Sequence, residues 1–122
     1  MKITLDNIID EIVKLIPEFK QYGDYNVFDI TDVSEKKMLL GVFGRFLKER
    51  VENYPINDKV IQKFYLFLNE QFNEQKNDKD TTDLIIIDIF ETLAESYKAI
   101  EVSRQLLKGK ALWAFNEAEK YI

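Results

Sequence analysis

The sequence predicts an all-α fold: a single-domain bundle of five to six helices over residues 1–122. Three observations predict it. Apolar residues recur near every 3.6 positions along almost the whole chain, while strand-like alternation is nearly absent. The breaks, at Pro17, Pro55, the run Asn77-Asp78-Lys79-Asp80 and Gly109, leave only short connections. With 122 residues, 46% hydrophobic and 32% charged, the chain can bury one core and is too apolar to be disordered.

The first helix is expected over residues 4–16, where Leu5, Ile8, Ile9, Ile12, Val13 and Ile16 share one face. Asp6, Asp10, Glu11 and Lys14 share the other, Thr4 offers an N-cap, and Pro17 ends the run or opens a new turn. Residues 22–33 have no helical period and read as an irregular loop. The second helix spans about Ser34 to Asn53 and stops before Pro55. The third starts at Asn57 or Asp58 and reaches about Gln75; a fourth covers about 81–96 after a polar turn at 77–80. On that fourth helix the core side is assigned to Ile86, Ile87, Ile89, Phe90, Leu93, Ala94 and Tyr97. Gly109 splits the tail into helices over about 98–108 and 110–121.

Composition excludes whole classes of chemistry. The chain contains no Cys and no His, so disulfides, thiolate nucleophiles, zinc fingers and histidine bases are impossible. A metal site would need oxygen ligands alone, and no calcium-loop or phosphate-loop pattern is present. No cofactor and no enzymatic activity are expected. The longest apolar run, Leu84 to Phe90, is interrupted by Asp88 and falls far short of the ~20 residues that span a bilayer. The first residues lack a secretory pattern, so the expected location is cytoplasmic. Net charge is −5, and residues 1–35 alone carry eight acids against three lysines. Such a chain is a poor nucleic-acid binder and better suited to a basic protein.

Several residues break their surroundings. Gly41 and Gly44 interrupt a good amphipathic helix, where glycine costs about 0.5–1 kcal/mol relative to alanine. They mark either a ligand loop or a close helix crossing, and the apolar period running through Val42 and Phe43 favours the crossing. Arg50 projects from the apolar arc of the same helix, either snorkelling to water or holding a carboxylate, with Glu91 the candidate partner. Asp88, Glu91 and Glu95 share one side of the fourth helix, a solvated acidic face rather than a metal or acid pair. Trp113 faces Asn116, Glu117 and Lys120, away from Leu112, Phe115 and Ala118, so it covers a neighbouring helix or stands as an exposed anchor. In the 22–33 loop, Asp24, Tyr25, Phe28, Asp29 and Asp32 mix aromatics with acids. That mixture suits either an anchored connection or a surface for a basic partner.

The segments GVFGRFL (41–47), DLIIIDIFETL (83–93), LLKGKAL (106–112) and LIPEF (15–19) resemble a family of small bacterial all-helical proteins. That family is known chiefly as a domain of unknown function and is immunity-like in appearance. Gly41 and Arg45 match its pattern, Phe46 stands in place of a tryptophan, and Val42 departs where the family carries an acid. Glu91 matches an acidic position in a motif that looks like the second helix of a HEAT-like hairpin. The resemblance implies no catalytic residues. The expected function is a protein-binding module, in its sharpest form an immunity-like protein blocking a basic toxin by contact. The alternative is a structural or homo-oligomerising helical protein without catalytic activity, whose simplest assembly is a homodimer. Neither nucleic acid nor membrane is an expected partner.

Overall fold

The computed structural model describes residues 2–23 and 25–121. Six helices are present among them, and no strand beyond one isolated bridge. They are α1 (Ile8–Leu15), α2 (Val33–Asn53), α3 (Lys59–Asn73), α4 (79–93), α5 (Tyr97–Leu106) and α6 (Gly109–Glu119). Two 3-10 turns, Pro17–Gln21 and Tyr25–Val27, carry the chain from α1 to α2. No helix among the described residues is long and apolar enough to cross a membrane.

Short polar side chains start most of these helices. Asp32 accepts the amides of Ser34 and Glu35, Asp58 those of Val60 and Ile61, Asp78 that of Thr81 and Ser96 that of Ala99. Each satisfies amides that the first helical turn leaves without partners. Thr4 does not cap α1. Its amide instead donates to Asn7 Oδ1 at 2.8 Å, closing a turn, and the helix begins only at Ile8. Ahead of that turn, Ile3 pairs with Asn77 as an isolated parallel bridge, which ties the N-terminus to the α3–α4 link.

One core runs through the molecule, with aromatic clusters at two places. Phe19 of the first 3-10 turn meets Phe43 edge-on at 4.8 Å, and Phe43 meets Phe64 of α3 at 4.7 Å. Farther along, Phe72 stacks on Phe90 at 5.3 Å, and Phe90 meets Phe115 of α6 edge-on at 5.7 Å. These are the offset and T-shaped arrangements that ring quadrupoles favour.

The fourth helix is not regular. Its α-helical start, Lys79–Leu84, widens into a π-helical turn over Ile85–Phe90 before a last turn at Glu91–Leu93. The Glu91 amide accordingly reaches back five residues to the Ile86 carbonyl. The wide turn shifts the phase of the helix, and a wheel drawn at about 100° per residue fails across it. Ile87, expected in the core, is 53% exposed, and Tyr97, beyond the helix end, is 95% exposed. Asp88, expected on a solvated face, turns half inward toward α2.

Gly44 explains how α2 and α4 come so close. A β-carbon at Gly44 would overlap the Asp88 carbonyl oxygen and stand 3.2 Å from its carbon and 3.4 Å from Ile89 Cα. Gly41 is different: the nearest atom to its β-carbon would be Asp88 Oδ1, at an ordinary 4.0 Å. The close crossing therefore rests on Gly44. Thr92 Oγ1 donates to the same Asp88 carbonyl at 3.0 Å, giving that backbone oxygen in the π turn a side-chain partner.

Two asparagines one turn apart on α3 secure the α5–α6 link. Asn69 donates to the Leu106 carbonyl at 3.0 Å and accepts the Lys108 amide at 2.8 Å. Asn73 repeats the pattern on the Lys108 carbonyl, 2.9 Å, and the Lys110 amide, 2.7 Å. Gly109 sits at φ +56° beside Asn73, with the amide carbon 3.1 Å from where a β-carbon would be. Both the left-handed backbone and the crowding require glycine there.

Candidate functional site

Of the two readings that its sequence position leaves open, a residue covering a neighbouring helix or an exposed aromatic, Trp113 is the exposed one. The indole is 66% exposed, the one tryptophan of the chain. It lines an apolar groove of about 420 Å³ together with Phe72, Thr82, Ile86, Lys110 and Ala114. The groove is a product of the fold just described. Phe72, at the end of α3, is held by its stack on Phe90, so the aromatic core reaches the surface there. Thr82 and Ile86 come from α4, four residues apart and on one side of the helix. Lys110, Trp113 and Ala114 come from the first turns of α6, whose start is fixed by Asn73. Apart from the Thr82 hydroxyl and the Lys110 ammonium group the lining is apolar, and it suits burial of an apolar guest beside one cation.

The 22–33 segment is largely occupied with the fold. Tyr25 is buried and packs edge-on against Phe19 at 5.3 Å. Burial, and then the Asp10 carboxylate, raises its phenol above the ordinary tyrosine value. Phe28 is half-buried against the core. Asp29 accepts the amide and hydroxyl of Thr31 in a tight turn, and these two hydrogen bonds lower its carboxyl below the usual range. Asp32 is the cap of α2. Asp24 lies outside the described residues. The free surface of this stretch is thus smaller than its composition suggests, with Asp29 and Val27 among its exposed side chains.

Arg50 does hold a carboxylate, but the partner is Asp58 and not Glu91. The guanidinium forks onto it, Nε to Oδ2 at 3.0 Å and Nη2 to Oδ1 at 2.9 Å, both groups largely buried. Its carbon also lies 3.7 Å from the Tyr54 ring centroid, a cation–π contact. Asp58 is itself the cap of α3, so one carboxylate fixes the angle between α2 and α3. The Arg50 hydrogen bond is the main reason the Asp58 carboxyl is held below its ordinary value. Glu91 is half-buried on α4, beside Asp88. Burial first, and the Glu91 charge second, push the Asp88 carboxyl up. Glu95 is exposed and lies 3.5 Å from Lys48. Arg45 is on the exposed side of α2. Among the described residues no group of three acids converges as a metal site would require.

One further concavity lies outside the residues singled out from the sequence. A cavity of about 240 Å³ opens between the N-terminal segment, α1 and α3, with Glu11, Glu70 and Gln71 in its lining. No family model matches this chain, and neither does any curated protein or solved structure.

Proposed function

We propose that the protein is a protein-binding module that receives an apolar side chain or short helix of a partner in the Trp113 groove. One observation carries this reading: a 66% exposed tryptophan beside a concave apolar surface built from three helices. Tryptophan is among the side chains that most often dominate binding energy, because it buries a large rigid surface at low entropic cost. The net charge of −5 favours a partner of basic character. Neutralisation of a basic toxin by direct contact is the narrower form of the same reading. The single tryptophan makes the test direct. The wild-type chain, immobilised and exposed to an extract of the source cell, should retain a partner that Trp113→Ala loses, with circular dichroism unchanged. Titrating that partner should shift the indole emission to shorter wavelength. Identical capture by both chains would refute the assignment of the groove.

A second reading, in which the groove meets another copy of the chain, is favoured by the further exposed aromatics Tyr97 and Tyr121. Light scattering across a concentration series separates the two. A dimer that Trp113→Ala dissolves would assign the groove to self-association.

A further inference from the structure

The outward face of α3 carries an order of charge that the helix itself does not favour. Lys59 and Lys63 lie in its first two turns, Glu70 in its last, and Glu74 closes it, with no acid in the first turn and no base in the last. Cations at a helix start and anions at its end oppose the macrodipole. At about 100° per residue the four side chains fall within about 60° of one another. On the same side, midway along, Leu66 is 61% exposed. It stands between two concavities, one of about 240 Å³ walled by Leu15 and Phe67, and one of about 200 Å³ walled by Tyr65 and Leu106. No ion pair among the described residues engages Lys59 or Lys63. The glutamates face Lys76, 3.5 Å from Glu74 and 4.0 Å from Glu70, in solvent-facing pairs that stabilise little.

We propose that this face docks on the same face of a second copy of the chain, with the two α3 helices antiparallel about a two-fold axis that passes between positions 66 and 67. Such a contact is self-complementary, because positions equally far from the axis on opposite sides meet. Lys63 then meets the partner's Glu70, and Lys59 the partner's Glu74, each pair occurring twice. The axis brings the two Leu66 side chains together, each beside the concavities of the other chain, as a knob meets a hole. Each lysine end also comes to lie by the C-terminus of the facing helix, where the macrodipole favours a cation. Pairing thus relieves the charge order that a lone α3 bears. A parallel arrangement would instead set lysine against lysine and glutamate against glutamate. A helix of 15 residues is about 22 Å long. Two such faces bury about 1,000 Å² in total, near the lower bound of specific interfaces. The dimer is therefore reversible, with a dissociation constant on the order of 100 μM. This face shares no residue with the Trp113 groove, so either assignment can fail without the other.

The test is sedimentation equilibrium of the full chain from about 10 μM to about 1 mM. The weight-average mass should rise from 14.5 kDa toward twice that value, and Leu66→Ser should hold it at the monomer. Lys63→Glu and Glu70→Lys should each weaken association by about tenfold, since each sets like charges together at both symmetry-related contacts. Mixed in equal amounts, those two variants should recover the association of the wild type, because in the antiparallel register each contact again joins an acid to a base. All three side chains reach solvent, so the fold is retained in each variant. A chain that stays at the monomer mass at the highest concentration overturns the proposal. So does a dimer that any of the three substitutions leaves intact, or a mixture no tighter than its separate components. A dimer that Trp113→Ala dissolves while Lys63→Glu leaves it intact gives self-association to the groove instead.

Discussion

Replacing each of the two α2 glycines by alanine should move stability in opposite directions. In an open helical position the exchange gains about 0.5–1 kcal/mol, because alanine restricts the unfolded chain and glycine does not. At Gly41 little opposes that gain, since the new β-carbon would lie 4.0 Å from Asp88 Oδ1. At Gly44 the new atom would overlap the Asp88 carbonyl oxygen and press on Ile89 Cα at 3.4 Å. Both neighbours are backbone in the middle of a packed helix, so relief requires α2 and α4 to separate. Forced overpacking of one methyl group costs about 1–3 kcal/mol, which exceeds the propensity gain. The net expectation is Gly44→Ala less stable by about 0.5–2 kcal/mol and Gly41→Ala more stable by up to about 1 kcal/mol. Urea unfolding followed by circular dichroism reads both midpoints, with the slope checked for constancy. For a chain of this size each kcal/mol should also move the melting temperature by about 3–5 °C. A Gly44→Ala variant as stable as Gly41→Ala would refute the close crossing.

Breaking the fork between Arg50 and Asp58 should show coupling of about 1–3 kcal/mol in a double-mutant cycle with Arg50→Met and Asp58→Asn, whereas a cycle of Arg50 with Glu91 should show less than about 0.5 kcal/mol. Asp58 also contributes to the acid limb, together with Asp29 and Asp78, whose carboxyls are likewise lowered. The folded value of Asp58 is lowered, so the stability it contributes is present above the unfolded value near pH 3.9 and is lost as pH falls from there through the folded value. Asp58→Asn should flatten that limb in pH-dependent melts. Asp88 works with the opposite sign: its raised folded value means stability is lost as pH rises past the unfolded value, so Asp88→Asn should stabilise the protein at neutral pH. Asn69→Ala should cost about 1–3 kcal/mol by urea unfolding, because it leaves the Leu106 carbonyl and the Lys108 amide without their side-chain partner.

Much of the architecture is written in local signals. Pro55 and the aspartates before α2 and α3 mark helix ends, and the structure places those boundaries within two residues of the expected ones. Caps act over three residues, so a sequence window contains all their physics. The same signal misleads where the chain turns before the helix. Thr4 looks like a cap, yet a turn closed by Asn7 Oδ1 follows it and α1 begins only at Ile8. The π turn is illegible for a different reason. The run from Ile85 to Phe90 suits a regular helix about as well as a wide one, and nothing local distinguishes the two. The Asp88 carbonyl lies over the missing side chain of Gly44, a contact between residues far apart in the chain.

The candidate sites divide along the same line. Trp113 could be found from sequence because it contradicts its own helix, with no reference to any neighbour. Arg50 could be found in the same way, but not its partner. A helical wheel says which way the arginine projects and is silent about the link after Tyr54, which folds back to bring Asp58 within 2.9 Å. The aromatic and acidic loop was conspicuous by composition, yet Tyr25 and Asp32 serve core packing and capping, two demands that use the same residue types as an interface. Gln71 breaks its face as Arg50 does, seven residues after Phe64 and three after Leu68 on the buried side of α3, but the helix alone does not say what covers it. Its Oε1 becomes unusual only when Ile3, tied to Asn77 by backbone pairing, and Glu11 on α1 are brought to the same cavity. The segments that cover it lie far apart in the chain, so its surroundings have no periodicity of their own, and burial of an unpartnered polar atom is the mark that only the fold shows.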